Sequence, residues 1–325
     1  MQHLTKPRVA VVIPVYRAEF LDQCLASVFG QTVQPDQVIV VDDGSPDGER
    51  VAAAVRGYET KVTLLRQENA GAGAARNRGI TASSCDLVAF LDADDEWLPG
   101  FLERQLALIG ETPDTAFVYA NGEIVGDSPL RGTLFMDTAP SDGPVTVEAL
   151  LAQRCTVLTS SVVARRQTLV DSGLFDESLR RGQDFDMWLR LVAAGATCAY
   201  TRSALVKRRV HGQNLSGDRM TELDRAITVL SRLRDKLKLT EQQRQTLETR
   251  VRALRAEMAT ENGKRMLAAG DVAGAAAHFR QAVEDGAGWK SWLVHLALQI
   301  APETTRQAYL FKLRRGAAPT PIQPA

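Results

Sequence analysis

Three carboxylates fall within four positions, Asp92, Asp94 and Asp95 in "FLDADDEW", directly behind an apolar run. Two such anions about 4 Å apart repel by roughly 4 kcal/mol at an effective dielectric constant of ~20. A divalent cation reverses the sign of that interaction. Hard oxygen ligands suit Mg²⁺ or Mn²⁺, ions that commonly carry substrate phosphates. If Asp92 and Asp94 continue the preceding strand, the period of two puts both on one face. The competing reading is a solvated acidic turn ahead of the helix that starts near Pro99.

Two further sets of residues carry chemistry. Asp42 and Asp43 end "VIVVDDGSPDG", where a carboxylate can accept hydrogen bonds from a base N–H or from ribose hydroxyls. Asp47 and Gly48 behind them are ordinary turn residues. "NAGAGAARNRG" holds G-x-G, but Arg76 stands where a dinucleotide fingerprint needs its third glycine. Glycine ahead of an Ala-rich helix leaves backbone N–H groups open to a phosphate. Arg76 or Arg78 adds charge for a diphosphate or a plane for stacking. The alternative is a helix capped by Asn69 that carries exposed arginines.

The elements that must position these groups can be read from periodicity. "RVAVVIPV", "QVIVVDD", "KVTLLRQ" and "DLVAFLDA" are short, nearly continuous apolar runs, as expected of strands buried on both faces. Helical patterns lie between them: Leu21, Cys24, Leu25 and Val28 recur at helical spacing after the first. The alternation predicts parallel βαβ units and an α/β three-layer sandwich, with ligands beyond the carboxyl ends of the strands. From about residue 111 the pattern loosens, and "GDSPLRGTLFMDTAPSDGPVT" reads as a long loop or irregular hairpin. Beyond Asp218 the chain is charged and helical, with Leu223, Ile227, Leu230, Leu233 and Leu237 on one stripe continued by Leu247, Val251, Leu254 and Met258. "ENGKRMLAAGDVAGAAAHFRQAVEDG" resembles one tetratricopeptide-like helical pair, and "GAAPTPIQPA" is expected to be disordered.

Lys plus Arg and Asp plus Glu both number 39, so there is no global basic field, which argues against nucleic acid as the main partner. The four cysteines form no CxxC pair and fit a reduced, cytoplasmic compartment. Neither a signal peptide nor a spanning helix is expected at the N-terminus.

"VAVVIPVYRAEFLDQCLASVFGQT", "VIVVDDGSPDG", "ENAGAGAARNRGI" and "FLDADDEWLPGFL", in this order and at this spacing, resemble the inverting family 2 glycosyltransferases of GT-A fold. "TSSVVARRQTLVDSGLFDESLRRGQDFDMWLRL" resembles the acceptor-side segment of the same family. The resemblance implies a Rossmann-like αβα sandwich followed by an all-helical C-terminal region. It divides the chain into a nucleotide-sugar-binding half at 1–110, an acceptor-binding half at 111–217 and a helical extension at 218–325. It implies a nucleotide-sugar donor, a UDP-sugar by default, a divalent metal (Mn²⁺ or Mg²⁺) and a glycan or lipid-linked hydroxyl acceptor. Pro14, Tyr16, Asp42, Asp43, Asn69, Gly71, Arg76, Asp92 and Ala93 then fall at the donor, with Asp43 on the base and Asp42 behind it. Asp92 would hold the ribose or a metal-bound water, Asp94 the metal, and Asp184 in "GQDFD" would take the acceptor proton. Gln183 stands where the family often has Glu, so a helper carboxylate is lost. A charge placed only for its helix N-terminus is the competing role of Asp184.

His211, in "KRRVHGQNLS", follows a β-like run and matches a family histidine that reaches the metal or its diphosphate; a plain surface role is the alternative. The QxxRW signature of processive polysaccharide synthases is absent. The C-terminal helices are candidates for homodimerisation or partner docking. The basic "FKLRR" suits weak peripheral contact with the inner face of an anionic membrane. Two other classes stay open on the residues alone: a nucleotide-binding enzyme, and a scaffold without sugar transfer.

Overall fold

A computed structural model describes residues 7–111, 114–211 and 219–316. The expected tail falls almost wholly outside the described residues. The chain divides into two compact units, 1–215 with 233–243, and 216–232 with 244–325.

The first unit is built on an eight-stranded sheet. Its strands are β1 (Val9–Val15), β2 (Gln37–Asp43), β3 (Val62–Gln67), β4 (Leu87–Phe90), β5 (Glu96–Trp97), β6 (Thr115–Gly126), β7 (Val163–Arg165) and β8 (Thr197–Val210). Their order is β3-β2-β1-β4-β7-β6-β8-β5. The first four strands pair in parallel, which brings Val15, Asp43, Gln67 and Phe90 to one edge of the sheet. β7 then pairs antiparallel with both β4 and β6, so the second half of the sheet is mixed. The continuous apolar runs have the expected cause. Val9, Val11, Ile13 and Val15 face one core with the helix Leu21–Phe29. Val12 faces the other core with Ile80, Phe90 and Trp188. Gly79, in the helix Ala72–Ala82, lies so close to Val12 that a Cβ there would overlap the valine side chain.

The loop-like segment after β6 contains a short helix, Phe135–Thr138, and the run before His211 is a full 14-residue strand. In the second unit, Leu267, Ala275, Phe279 and Leu298 form a small core from the helices Glu241–Ala269, Val272–Glu284 and Trp289–Ile300. The helix Pro302–Gly316 follows. The stripe residues Leu223, Leu230, Leu247 and Leu254 of this unit are buried, as is Leu233 in the first. Arg219 pairs with Glu257 at 2.6 Å.

Candidate active site

The sheet edge carries two acidic clusters that are held in different ways. At the end of β2, Asp42 and Asp43 are both buried. Asp42 Oδ1 accepts the backbone N–H of Ser45 at 2.7 Å, and its Oδ2 lies 3.4 Å from Arg66 of β3. Asp43 Oδ1 accepts from Gln67 Nε2 and from Ala70 N, both at 2.8 Å, while Oδ2 accepts from Gly71 N at 2.8 Å. The expected open N–H groups of the glycine loop are thus partly used by Asp43, because a carboxylate under the loop offers them acceptors first. A carboxylate has about four acceptor sites, so a base N–H could still add one bond to the three protein donors.

Asn69 does not cap the next helix. Gly71 precedes Ala72–Ala82 with φ 96°, a conformation that favours glycine. Asn69 Oδ1 instead accepts from Arg180 Nη1 at 2.8 Å, which ties this loop to the segment ahead of the helix Gln183–Ala193. Asn77 adds a second tie, exchanging hydrogen bonds with the backbone of Phe175.

The second cluster follows β4. The strand stops at Phe90, so strand alternation does not set the relation of Asp92 to Asp94. A turn does, closed by Asp95 N donating to Asp92 O at 3.0 Å. Asp92 and Asp94 keep about a third of their side chains exposed, while Asp95 is buried. Burial and the neighbouring Asp92 charge raise the pKa of Asp94 above the usual carboxylate range, against the lowering pull of His211. Burial raises that of Asp95 well above it, with Asp94 and Asp92 adding repulsion. His211 Nε2 lies 3.0 Å from Asp94 Oδ2, and the His211 ring packs 5.5 Å from that of Phe20.

Arg76 does not stand out in the solvent. It is 4% exposed, and its Nη2 pairs with Asp92 Oδ1 beside the Phe175 ring. Its Nε and Nη1 have no hydrogen-bond partner among the described residues. Tyr16, just past β1, is 46% exposed, and Ala93 is buried in the turn. Pro14 lies within β1, opposite Val41.

Asp184 sits in the first turn of the helix Gln183–Ala193, its Oδ1 accepting from Phe185 N at 2.8 Å. Gln183 is buried, and its Cγ lies 3.2 Å from where a Cβ on Gly73 would be. The start of this helix therefore packs on the start of Ala72–Ala82. The neighbouring Asp186 has a structural task, pairing at 2.7 Å with Arg190, which also donates to the carbonyls of Ser172 and Leu174.

Sequence reasoning missed Arg209. Its backbone N donates to Asp95 Oδ1 at 2.8 Å, its Nε to Asp94 O at 3.1 Å and its Nη2 to Glu96 at 2.6 Å. Its guanidinium also lies 4.3 Å from the Phe20 ring centroid. β8 pairs with β5 at Glu96–Lys207, and that register delivers Arg209 and then His211 to the acidic turn. The only signal in the sequence was the alternation of Lys207, Arg209 and His211.

Residues 10–156 match the family model for glycosyl transferase family 2. Over that span the chain is a glycosyl transferase family 2 domain. An uncharacterised glycosyltransferase of Rickettsia typhi is 27% identical over 69% of this chain and 70% of its own length. The amylovoran biosynthesis glycosyltransferase AmsB of Erwinia amylovora is 32% identical over 56% of this chain and 62% of its own. Among solved structures, S. aureus TarS 1–349 in complex with UDP-GlcNAc superposes with TM-score 0.60 at 16% identity, covering 95% of this chain and 92% of TarS 1–349. The mannosyltransferase PcManGT of Pyrobaculum calidifontis, in complex with GDP-Man and Mn²⁺, superposes with TM-score 0.61 at 19% identity, covering 95% and 86%. At these identities the two structures establish the shared GT-A fold. The match and the relatives support a transferase over a nucleotide-binding enzyme or scaffold without sugar transfer.

Proposed function

We propose that the chain is an inverting, metal-dependent, non-processive transferase that moves a sugar from a nucleoside-diphosphate sugar to a hydroxyl of a glycan or lipid-linked acceptor at the cytoplasmic side of a membrane. The observation that carries this reading is the Asp94–His211 pair at 3.0 Å, set beside Asp92 on the edge that also bears Asp43. The TarS structure is a complex with UDP-GlcNAc and that of PcManGT a complex with GDP-Man and Mn²⁺, so the shared element of the two donors is the nucleoside diphosphate. A UDP-sugar is the default donor.

No cluster of three or more His, Cys, Asp or Glu side chains fit to hold a metal is present among the described residues. An oxygen and an imidazole nitrogen nevertheless fit an ion that takes one or two protein ligands and fills its shell with phosphate oxygens and water. Burial, with the neighbouring Asp92 charge, raises the pKa of Asp94, and a cation bound there would favour its ionised form. Asp94 and His211 would hold the ion; its chemistry is neutralisation of the leaving diphosphate. Imidazole favours Mn²⁺ over Mg²⁺.

The chain's own groups do the rest. Asp43 and Arg66 at the β2–β3 edge frame the base and ribose. Arg76 fixes Asp92, and its Nε and Nη1 have no hydrogen-bond partner among the described residues. Asp184 uses Oδ1 to hold its own helix start, leaving Oδ2 to take the proton of the acceptor hydroxyl as it attacks the sugar. Water in that role would give donor hydrolysis.

The test is a panel of UDP-, GDP- and dTDP-sugars assayed for donor hydrolysis and transfer, with Mn²⁺ and with chelator, on the parent and on Asp184→Asn. Parent activity should need the metal. Asp184→Asn should lose transfer by about 10²–10⁴-fold while metal-dependent nucleotide binding stays, measured by calorimetry. Full activity in chelator refutes the metal role. Loss of nucleotide binding in the variant moves Asp184 to the donor site or the core.

A further inference from the structure

Two of the four tryptophans, Trp97 and Trp188, lie in the hydrophobic core at 3% and 2% exposure. The other two, Trp289 and Trp292, are 67% and 49% exposed on the helix Trp289–Ile300. Leu293, Leu296 and Ile300 are exposed beside them, Ile300 at 75%. At 3.6 residues per turn these five positions share one face about 100° wide. The opposite face is occupied: Leu298 and Val294 pack on Leu267, Ala275 and Phe279. A helix on a globular unit needs one apolar stripe, and this one has two, of which the core beneath covers one. Single exposed apolar residues are ordinary, but five on one face form a patch that marks an interaction surface.

We propose that this face is a peripheral membrane-binding surface that seats in the headgroup region of an anionic bilayer. Charge and residue type both select that occupant. Between 289 and 316 the sequence holds five cations, Lys290, Arg306, Lys312, Arg314 and Arg315, and one anion, Glu303. The balance of five minus one is positive, within a chain whose net charge is +0, so the segment is basic against an acidic remainder. A second copy would bring the same cations against one another across a two-fold contact. An anionic leaflet attracts each of them. Tryptophan favours the bilayer interface, where the ring is apolar and the indole N–H stays wet. An apolar face bearing Trp and Leu, on a segment rich in lysine and arginine, is the pattern of a helix that lies in the interface plane. No described helix is long and apolar enough to cross a membrane. The inference needs nothing from the proposed sugar chemistry.

The test uses the full chain with vesicles of phosphatidylcholine alone or mixed with phosphatidylglycerol. Flotation and tryptophan emission are read together, since Trp289 and Trp292 are the exposed reporters. The parent should float with the anionic vesicles and shift its emission to the blue, and added salt should weaken both. Leu293→Ser combined with Ile300→Ser keeps both reporters and should abolish binding with the melting temperature unchanged. Lys290→Glu with Lys312→Glu touches no core residue and should weaken binding by about fivefold or more per charge. A parent that ignores anionic vesicles overturns the proposal, as does binding that neither variant reduces. A solution dimer that the serine variant converts to monomer, without vesicle binding, assigns the face to a second copy instead.

Discussion

The end of β2 and the turn after β4 lie on the same sheet edge, and each presents paired aspartates, yet the protein treats them in opposite ways. Asp43 is buried and meets three donors from Gln67, Ala70 and Gly71. Its charge organises the loop that leads to the helix Ala72–Ala82. Asp94 is part-exposed, its pKa is raised by burial and by Asp92, and its side chain meets His211. A carboxylate satisfied by its own chain stabilises the fold; one whose charged form is disfavoured by burial and a like-charged neighbour is the kind of group found at functional sites.

That contrast can be broken experimentally. Asp94→Asn should cost about 10²–10³-fold in metal-supported turnover, the scale for removing a group that stabilises transition-state charge. The melting temperature of the chelated protein should hold or rise, because a repelled, part-buried charge is gone. A falling melting temperature with normal turnover would reverse the assignment. Asp43→Ala should do the opposite, destabilising by roughly 1–3 kcal/mol for each buried donor left unpaired. Urea unfolding of that variant checks it, and unchanged stability would free Asp43 for an exclusively donor-binding role.

A smaller effect sharpens the metal half of the comparison. His211→Ala should lower Mn²⁺-supported activity about tenfold, the lower end for disturbed metal surroundings, and Mg²⁺-supported activity less. Equal loss with both metals would leave His211 a contact to Asp94 alone.

The smallest expected change is in pH dependence. Asp94 and Asp95 have folded pKa values above their unfolded ones, so the folded protein binds more protons in that window. Metal-free stability should therefore fall as pH rises from the unfolded carboxylate range through the raised values. Asp95→Asn keeps an acceptor for Arg209 N and should flatten this slope, seen in melts at acid and neutral pH with chelator. A slope that steepens would show that Arg209 and its neighbours already neutralise the turn.

The sequence by itself determined the parallel half of the sheet. Runs such as Val9–Val15 are apolar at every position because both faces of a parallel sheet are covered, and no other element of that length needs this pattern. It also brought Asp42, Asp43, Asp92 and Asp94 to one edge, since parallel strands all end on the same side. Tertiary structure alone decided the rest. Antiparallel β7 between β4 and β6 is invisible in three residues of local pattern. The use of Ala70 and Gly71 N–H groups by Asp43 depends on how a loop folds back over a distant strand end. Arg209 and His211 reach the acidic turn through the β5–β8 register, more than a hundred residues apart in sequence. Local periodicity records which face of an element is buried, but only packing decides which distant charge arrives to meet another.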